Sequence, residues 1–526
     1  MESPTQTMHM PKLSKIEKIG QLFCPAAFIN DTDQEVKAIE KLILDYKVGG
    51  LTFFHSRASA ATNFEGKKKV IRNEDSSKRL AELITHYQSL SSTPLLISID
   101  AEWGLAMRAE NTPQYPYAIT LGAIPSKHTE LIYNVGKQIG YDLKNIGIHL
   151  NLAPVADINT NPNNPVIGYR SFGEHKKQVT DQSLAFYNGL KASGILGCFK
   201  HFPGHGDTEV DSHLGLPIIT KSKQELYDQE LYPFIKAIAS GIDSILIGHL
   251  AVPSLSKGKS ISATLSKEII QGILRKELGF KGVVISDALN MHSVSKLYPE
   301  KGILEWKAFD AGNDILCFAE HVEEGIRTIE KNATDQQIEE SVSRIQKLKE
   351  NTSKETTSDH TLSFEKTASI NLDIAKTSLT HYQIDKESFQ KFITEDFEAI
   401  AIGNTKDCIF FKEIEKFRRF NKITTDISTD FSSTNILIAL FPPSIKPMHK
   451  FGIVPELLQM ITELSKTKNV MLYLFGNPYV LQILPTKHIK NIVLSYQSFD
   501  TFQQVAATHF LGVHQAIGIS PIQLPI

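Results

Sequence analysis

The stretch GCFKHFPGHGDTEVDSH, residues 197–213, begins as an apolar strand and ends in a cluster of titratable groups. GCFKHF, from Gly197, is a short apolar run of the kind that fills a sheet covered on both faces. Lys200 and His201 stand at its end, and a charge on a buried strand is costly unless it is paired or functional. Other runs end the same way: LLISID at Asp100, HLNLAPVAD at Asp157, SILIGH at His249 and VVISD at Asp287. GQLFCPAAF from Gly20, VGGLTFF from Val48 and DILCFA from Asp314 bring the number of expected strands to eight.

Between these runs lie segments of helical period: QEVKAIEKLILDYK, KRLAELITHYQSL, ELIYNVGKQIGYDLKNIG, VTDQSLAFYNGLKASG, QELYPFIKAIASG and SKEIIQGILRKELGF. Strand and helix alternating with nearly unbroken apolar strands predict an α/β fold with a parallel sheet buried on both faces. Eight such units close naturally into an N-terminal (β/α)8 TIM-type barrel. That fold gathers its active sites at the carboxyl ends of the strands, where the charged residues fall.

At 526 residues the chain is too long for one core, and two globular units are expected. The catalytic barrel is placed at 10–348. A polar, Ser- and Thr-rich linker with a connecting helix, EKTASINLDIAKTSL, occupies 349–379. Residues 380–526 carry further buried-type strands, AIAIGN, NILIALF, NVMLYLF and NIVLSY, and form a second, smaller α/β domain with a doubly wound sheet.

Charge is balanced, with 56 basic against 58 acidic residues, so no electrostatic footprint for nucleic acid or an anionic membrane exists. A small neutral or polar ligand fits better. Cys24, Cys198, Cys317 and Cys408 form no CxxC pair, which points to free thiols rather than a disulfide framework or a cysteine zinc site. No apolar run is long enough to span a membrane, and the first twenty residues lack the apolar core of a secretory signal. A cytoplasmic location is expected, with export open if the natural N-terminus is missing.

Three chemistries compete for residues 200–213. His205, Asp207, Asp211 and His213 have ligand types that suit zinc. Gly204, Gly206 and Lys200 invite comparison with a phosphate loop, although Pro203 removes a donor. Third, Asp211 and His213 are two apart, so a turn lets the carboxylate hold the imidazole and raise its pKa for proton transfer. Asp287 is open in the same way: a nucleophile aimed into the barrel mouth, or a helix N-cap.

KHFPGHGDTEVDSH, PVIGYRSFG from Pro165, IDAEWGLAMR from Ile99 and ISDALNM from Ile285 together resemble glycoside hydrolase family 3, specifically its two-domain β-N-acetylglucosaminidases. The resemblance covers essentially the whole chain and implies that the second domain is an α/β sandwich. It implies a retaining exo-β-N-acetylglucosaminidase that acts through a covalent glycosyl-enzyme on peptidoglycan-derived muropeptides or related β-glycosides. Asp287 matches the nucleophile, and His213 with Asp211 matches the acid/base pair. Asp100, Arg108, Arg170, Lys200 and His201 match the residues that hold the terminal sugar, and His249 is expected in the pocket. No cofactor and no metal are expected. Trp103 and Ala288 depart from the pattern of many single-domain members. The alternatives are phosphorolysis, β-glucosidase action, or a sugar-binding barrel without catalysis.

Overall fold

The computed structural model describes residues 13–57, 72–209, 215–352, 361–403, 408–423 and 431–523. Nine short strands build the first unit: β1 (Phe23–Cys24), β2 (Ala26–Phe28), β3 (Gly50–Phe54), β4 (Leu96–Ile99), β5 (Leu150–Asn151), β6 (Leu196–Phe202), β7 (Ser244–Ile247), β8 (Val283–Ser286) and β9 (Leu316–Cys317). All their pairings are parallel, and β2 through β8 follow one another in chain order. The first expected strand is one strand position broken at Pro25, which has no N–H to give to a ladder. β1 pairs with β9, and the Ile285↔Ile315 bridge ties β8 to β9. Thr52 N donates to Pro25 O at 3.0 Å, so the sheet closes on eight strand positions.

The expected helices are present, from Asp33–Tyr46 and Ser76–Leu90 to Glu130–Ile146 and Lys176–Ala192. Thr32 and Glu35 form a reciprocal capping box that starts the first of these, and Gly147 in the left-handed region ends the Glu130–Ile146 helix. The barrel interior is filled: Thr52 and Ser98 hydroxyls meet at 2.8 Å, with the buried Cys24 and Cys317 thiols against Thr52. Among the described residues no helix is long and apolar enough to cross a membrane.

The helix Phe364–Ser378 leads into a six-stranded sheet. Its strands are β10 (Thr380–Gln383), β11 (Glu398–Ile402), β12 (Asn421–Ile423), β13 (Asn435–Leu440), β14 (Asn469–Leu474) and β15 (Asn491–Leu494). The order β10-β15-β14-β13-β11-β12 is parallel except for β10, which runs antiparallel to β15. Ile119 and Ala123 of the first unit share a core with Ile436, Leu472 and Tyr479 of the second. The two units therefore pack through a common apolar layer.

Candidate active site

Asp100 directly follows β4, and its position is set from below. The buried Asn151 amide accepts from Ala101 N at 3.0 Å and donates to Ala101 O at 3.1 Å. Lys200 projects from β6, Arg108 follows the short turn Leu105–Met107, and Arg170 closes the turn Gly168–Arg170. Lys200 Nζ donates to Asp100 Oδ1 at 2.8 Å and lies 2.7 Å from Glu102 Oε1. Arg108 holds the other Asp100 oxygen at 2.8 Å. Arg170 grips Glu102 with two donors, at 3.0 and 2.7 Å.

Charges removed from water need such partners. Burial alone would raise Glu102, but Arg170 and Lys200 outweigh it and hold the carboxyl down at about 2. For Asp100, too, burial is outweighed, here by Lys200 and Arg108, and its carboxyl is held below the usual range. Lys200, 2% exposed, is raised in turn, because Asp100 and Glu102 overcome the opposing effect of burial. The result is a network in which every one of these cations touches a carboxylate.

A second network stands beside it. Asp157, fully buried, accepts from His201 N and His205 N and lies 2.7 Å from His201 Nδ1. Arg170 NH2 faces His201 Nε2 at 3.5 Å, and since guanidinium only donates, this assigns the ring proton to Nδ1. Burial, and then His201, push His205 down to about 4, so that ring is neutral near pH 7. Gly206 lets the chain pass against the Ile158 carbonyl, where a Cβ would collide.

Asp287 lies immediately past β8. Its N–H donates to Ile247 O, and Oδ1 accepts from Ala288 N at 2.8 Å. The next helix, His292–Ser295, begins too far along the chain for Asp287 to be its N-cap. Asp287 acts electrostatically on His205, which places the carboxylate beside the second network. Lys200 and Arg170, expected from the sequence to steady Asp287, instead make their short contacts to Asp100 and Glu102.

His249 differs from its expected place in the pocket wall. It is 0% exposed, with Nδ1 at 2.8 Å from Thr264 Oγ1 and Nε2 at 3.0 Å from Ala288 O. A ring bonded on both nitrogens braces the chain just beyond Asp287 from behind. Asp211 and His213 lie outside the described residues. Among the described residues no three His, Cys, Asp or Glu side chains are grouped to hold a metal ion. Sequence reading gave no role to Glu102 or Asp157. Glu102 had one signal available, its place two residues beyond Asp100 in the same polar turn, and Asp157 had its place at a strand end.

A closed parallel barrel with paired charges and a carboxylate at its strand ends defines the (β/α)8 class, whose active sites lie at this face. Residues 15–348 match the glycosyl hydrolase family 3 N-terminal domain, and the chain belongs to that family. It is 34% identical over 339 residues to beta-hexosaminidase A of Pseudoalteromonas piscicida, covering 59% of this chain and 54% of that one. The chain thus spans about half the length of that relative. A beta-hexosaminidase of Neisseria meningitidis is 32% identical over 306 residues, covering 56% of this chain and 77% of its own. Among solved structures, a family 3 beta-N-acetylglucosaminidase from Paenibacillus sp. superposes with a TM-score of 0.77 at 25% identity, covering 97% of this chain and 99% of that one.

Proposed function

We propose that the chain is a retaining exo-β-N-acetylglucosaminidase, releasing terminal N-acetylglucosamine from muropeptides or related β-glycosides. The observation that carries this reading is the joined set of Asp100, Arg108, Lys200, Glu102 and Arg170 at the strand ends, one strand-end circuit away from Asp287. Fixed donors and acceptors of this kind suit a ring of hydroxyls and an acetamido group. Asp100, Arg108, Lys200, His201 and Arg170 hold the sugar, and Asp157 and Glu102 hold those residues in turn.

In the proposed reaction an Asp287 carboxylate oxygen bonds to the anomeric carbon as the bond to the leaving oxygen breaks. His213, oriented by Asp211, gives its proton to that oxygen. Water then attacks the same carbon, the Asp287 ester bond breaks, and the water proton returns to His213. The catalytic unit is taken as 10–348 and joined through 349–379 to 380–526. A cytoplasmic chain of this kind would meet anhydro-muramoyl substrates.

The test is hydrolysis of an aryl N-acetylglucosaminide against the aryl glucoside, with and without phosphate, identifying the sugar released. Free N-acetylglucosamine in both buffers is expected. A sugar 1-phosphate, or preference for the glucoside, overturns the reading. Asp287→Ala is expected to abolish turnover.

A further inference from the structure

Residues 208–220 leave the barrel and return to it between two fixed limbs. On the outgoing limb His205 N donates to Asp157 Oδ1 at 2.7 Å, and His205 Nδ1 lies 2.8 Å from Thr208 Oγ1. Asn164 Nδ2 donates to His205 O at 2.9 Å, and Asn161 Nδ2 to Thr208 O at 3.3 Å. On the returning limb Ala251 N donates to Pro217 O at 2.8 Å and Ile219 N to Ala251 O at 2.9 Å. Ser254 Oγ donates to Lys221 O at 2.7 Å.

Lys221 joins the two limbs. Its ammonium lies 2.8 Å from Asp207 Oδ2 and 2.5 Å from Glu230 Oε1. The Glu230 side chain is 1% exposed and lies under Gly204, where φ is +122° and a Cβ would come within 2.7 Å of Glu230 Cβ. A buried carboxylate cannot release its cation cheaply, so Glu230 fixes the ammonium in place. Asp207 then docks on an anchor that is already immobile, unlike an ordinary surface pair between two mobile side chains.

We infer that Asp207 and Lys221, backed by Glu230, form an ion-pair clasp that positions the segment between them and with it the proton-transfer pair Asp211 and His213. The inference rests on the function proposed above. Asp207, Lys221 and Glu230 are positioning residues, and none is assigned a contact with substrate.

Asp207→Ala separates the clasp from stability, because Lys221 keeps its bond to Glu230. The measurement is kcat/KM on a nitrophenyl N-acetylglucosaminide, whose leaving group departs without a proton, and on an N-acetylglucosamine disaccharide, which needs one. The expected result is a loss of about tenfold or more on the disaccharide and within about twofold on the nitrophenyl substrate, the scale of a small misplacement of a reacting group. Lys221→Arg, which keeps both ion pairs, is expected to retain the wild-type ratio, whereas Lys221→Met loses it. His213→Ala is measured in parallel. If His213→Ala shows the leaving-group dependence and Asp207→Ala loses both activities equally, or neither, the clasp is overturned and the reaction stands. If His213→Ala shows no such dependence, the proposed acid is overturned. A lowered melting temperature in Asp207→Ala with an unchanged ratio makes the pair a stability feature only and overturns the inference.

Discussion

Lys200 holds two carboxylates with one buried ammonium, and its removal has consequences at both ends of the site. Lys200→Met leaves Asp100 to Arg108 and Glu102 to Arg170, each short of one partner in a place water reaches poorly. Unpairing a buried charge costs about 3–5 kcal/mol, so urea unfolding of Lys200→Met is expected to show a loss of that order together with a raised KM. Lys200→Arg is expected to recover only part of it, since a planar fork does not replace a compact ammonium between two oxygens. The acid limb of stability follows from the same carboxyls. Their folded pKa values lie below the unfolded ones, so their contribution is complete above about pH 4 and is lost as pH falls toward about 2. The charged strand ends were legible in the sequence because a lone polar residue stands out against an apolar run. Glu102 was not, because it sits in a turn where a carboxylate is ordinary and only the fold brings Arg170 to it.

The barrel elements were legible for a related reason: buried parallel strands have no polar face to break the apolar run. The edges of the second sheet were not. β12, NKI, is largely exposed, and β10, THYQ, is polar on most of its length, so neither carries the signal that marks β11, β13, β14 and β15. The second unit also reaches the candidate site. Asn159 Nδ2 donates to Tyr479 OH at 2.8 Å, and Asn159 Oδ1 accepts from Gly168 N at 3.0 Å, at the head of the turn that presents Arg170. Tyr479→Phe removes one end of that chain of bonds. It is expected to cost about 1 kcal/mol in stability and to raise KM more than it lowers kcat, measured by denaturation and steady-state kinetics.

Across the whole molecule, three imidazoles are kept neutral by their surroundings. Burial lowers His149 to about 4, with Lys349 adding to it; it lowers His205 to about 4 and His509 to about 3. His509 contacts His381 Nε2 at 2.7 Å and Tyr473 OH at 2.8 Å, deep in the second unit. Each takes up a proton on unfolding at pH values between its folded pKa and about 6.5, so stability is full above about 6.5 and falls as pH drops through that window. Each is expected to remove about 2 kcal/mol between pH 6.5 and pH 5, measured as the urea midpoint against pH. His509→Gln is expected to flatten that slope by one proton.

The paired charges at the barrel mouth also bear on which compounds would bind there. Three cations, Lys200, Arg108 and Arg170, are already bonded to Asp100 and Glu102, and Asp287 adds a third negative charge nearby. An anionic fragment would find no cation in this set without a carboxylate already on it, and would have to displace that carboxylate to bind. A neutral, hydroxyl-rich ring can join the network by sharing its bonds without breaking any charge pair. An inhibitor search is therefore better begun from uncharged polyols and lactams than from phosphates or sulfonates.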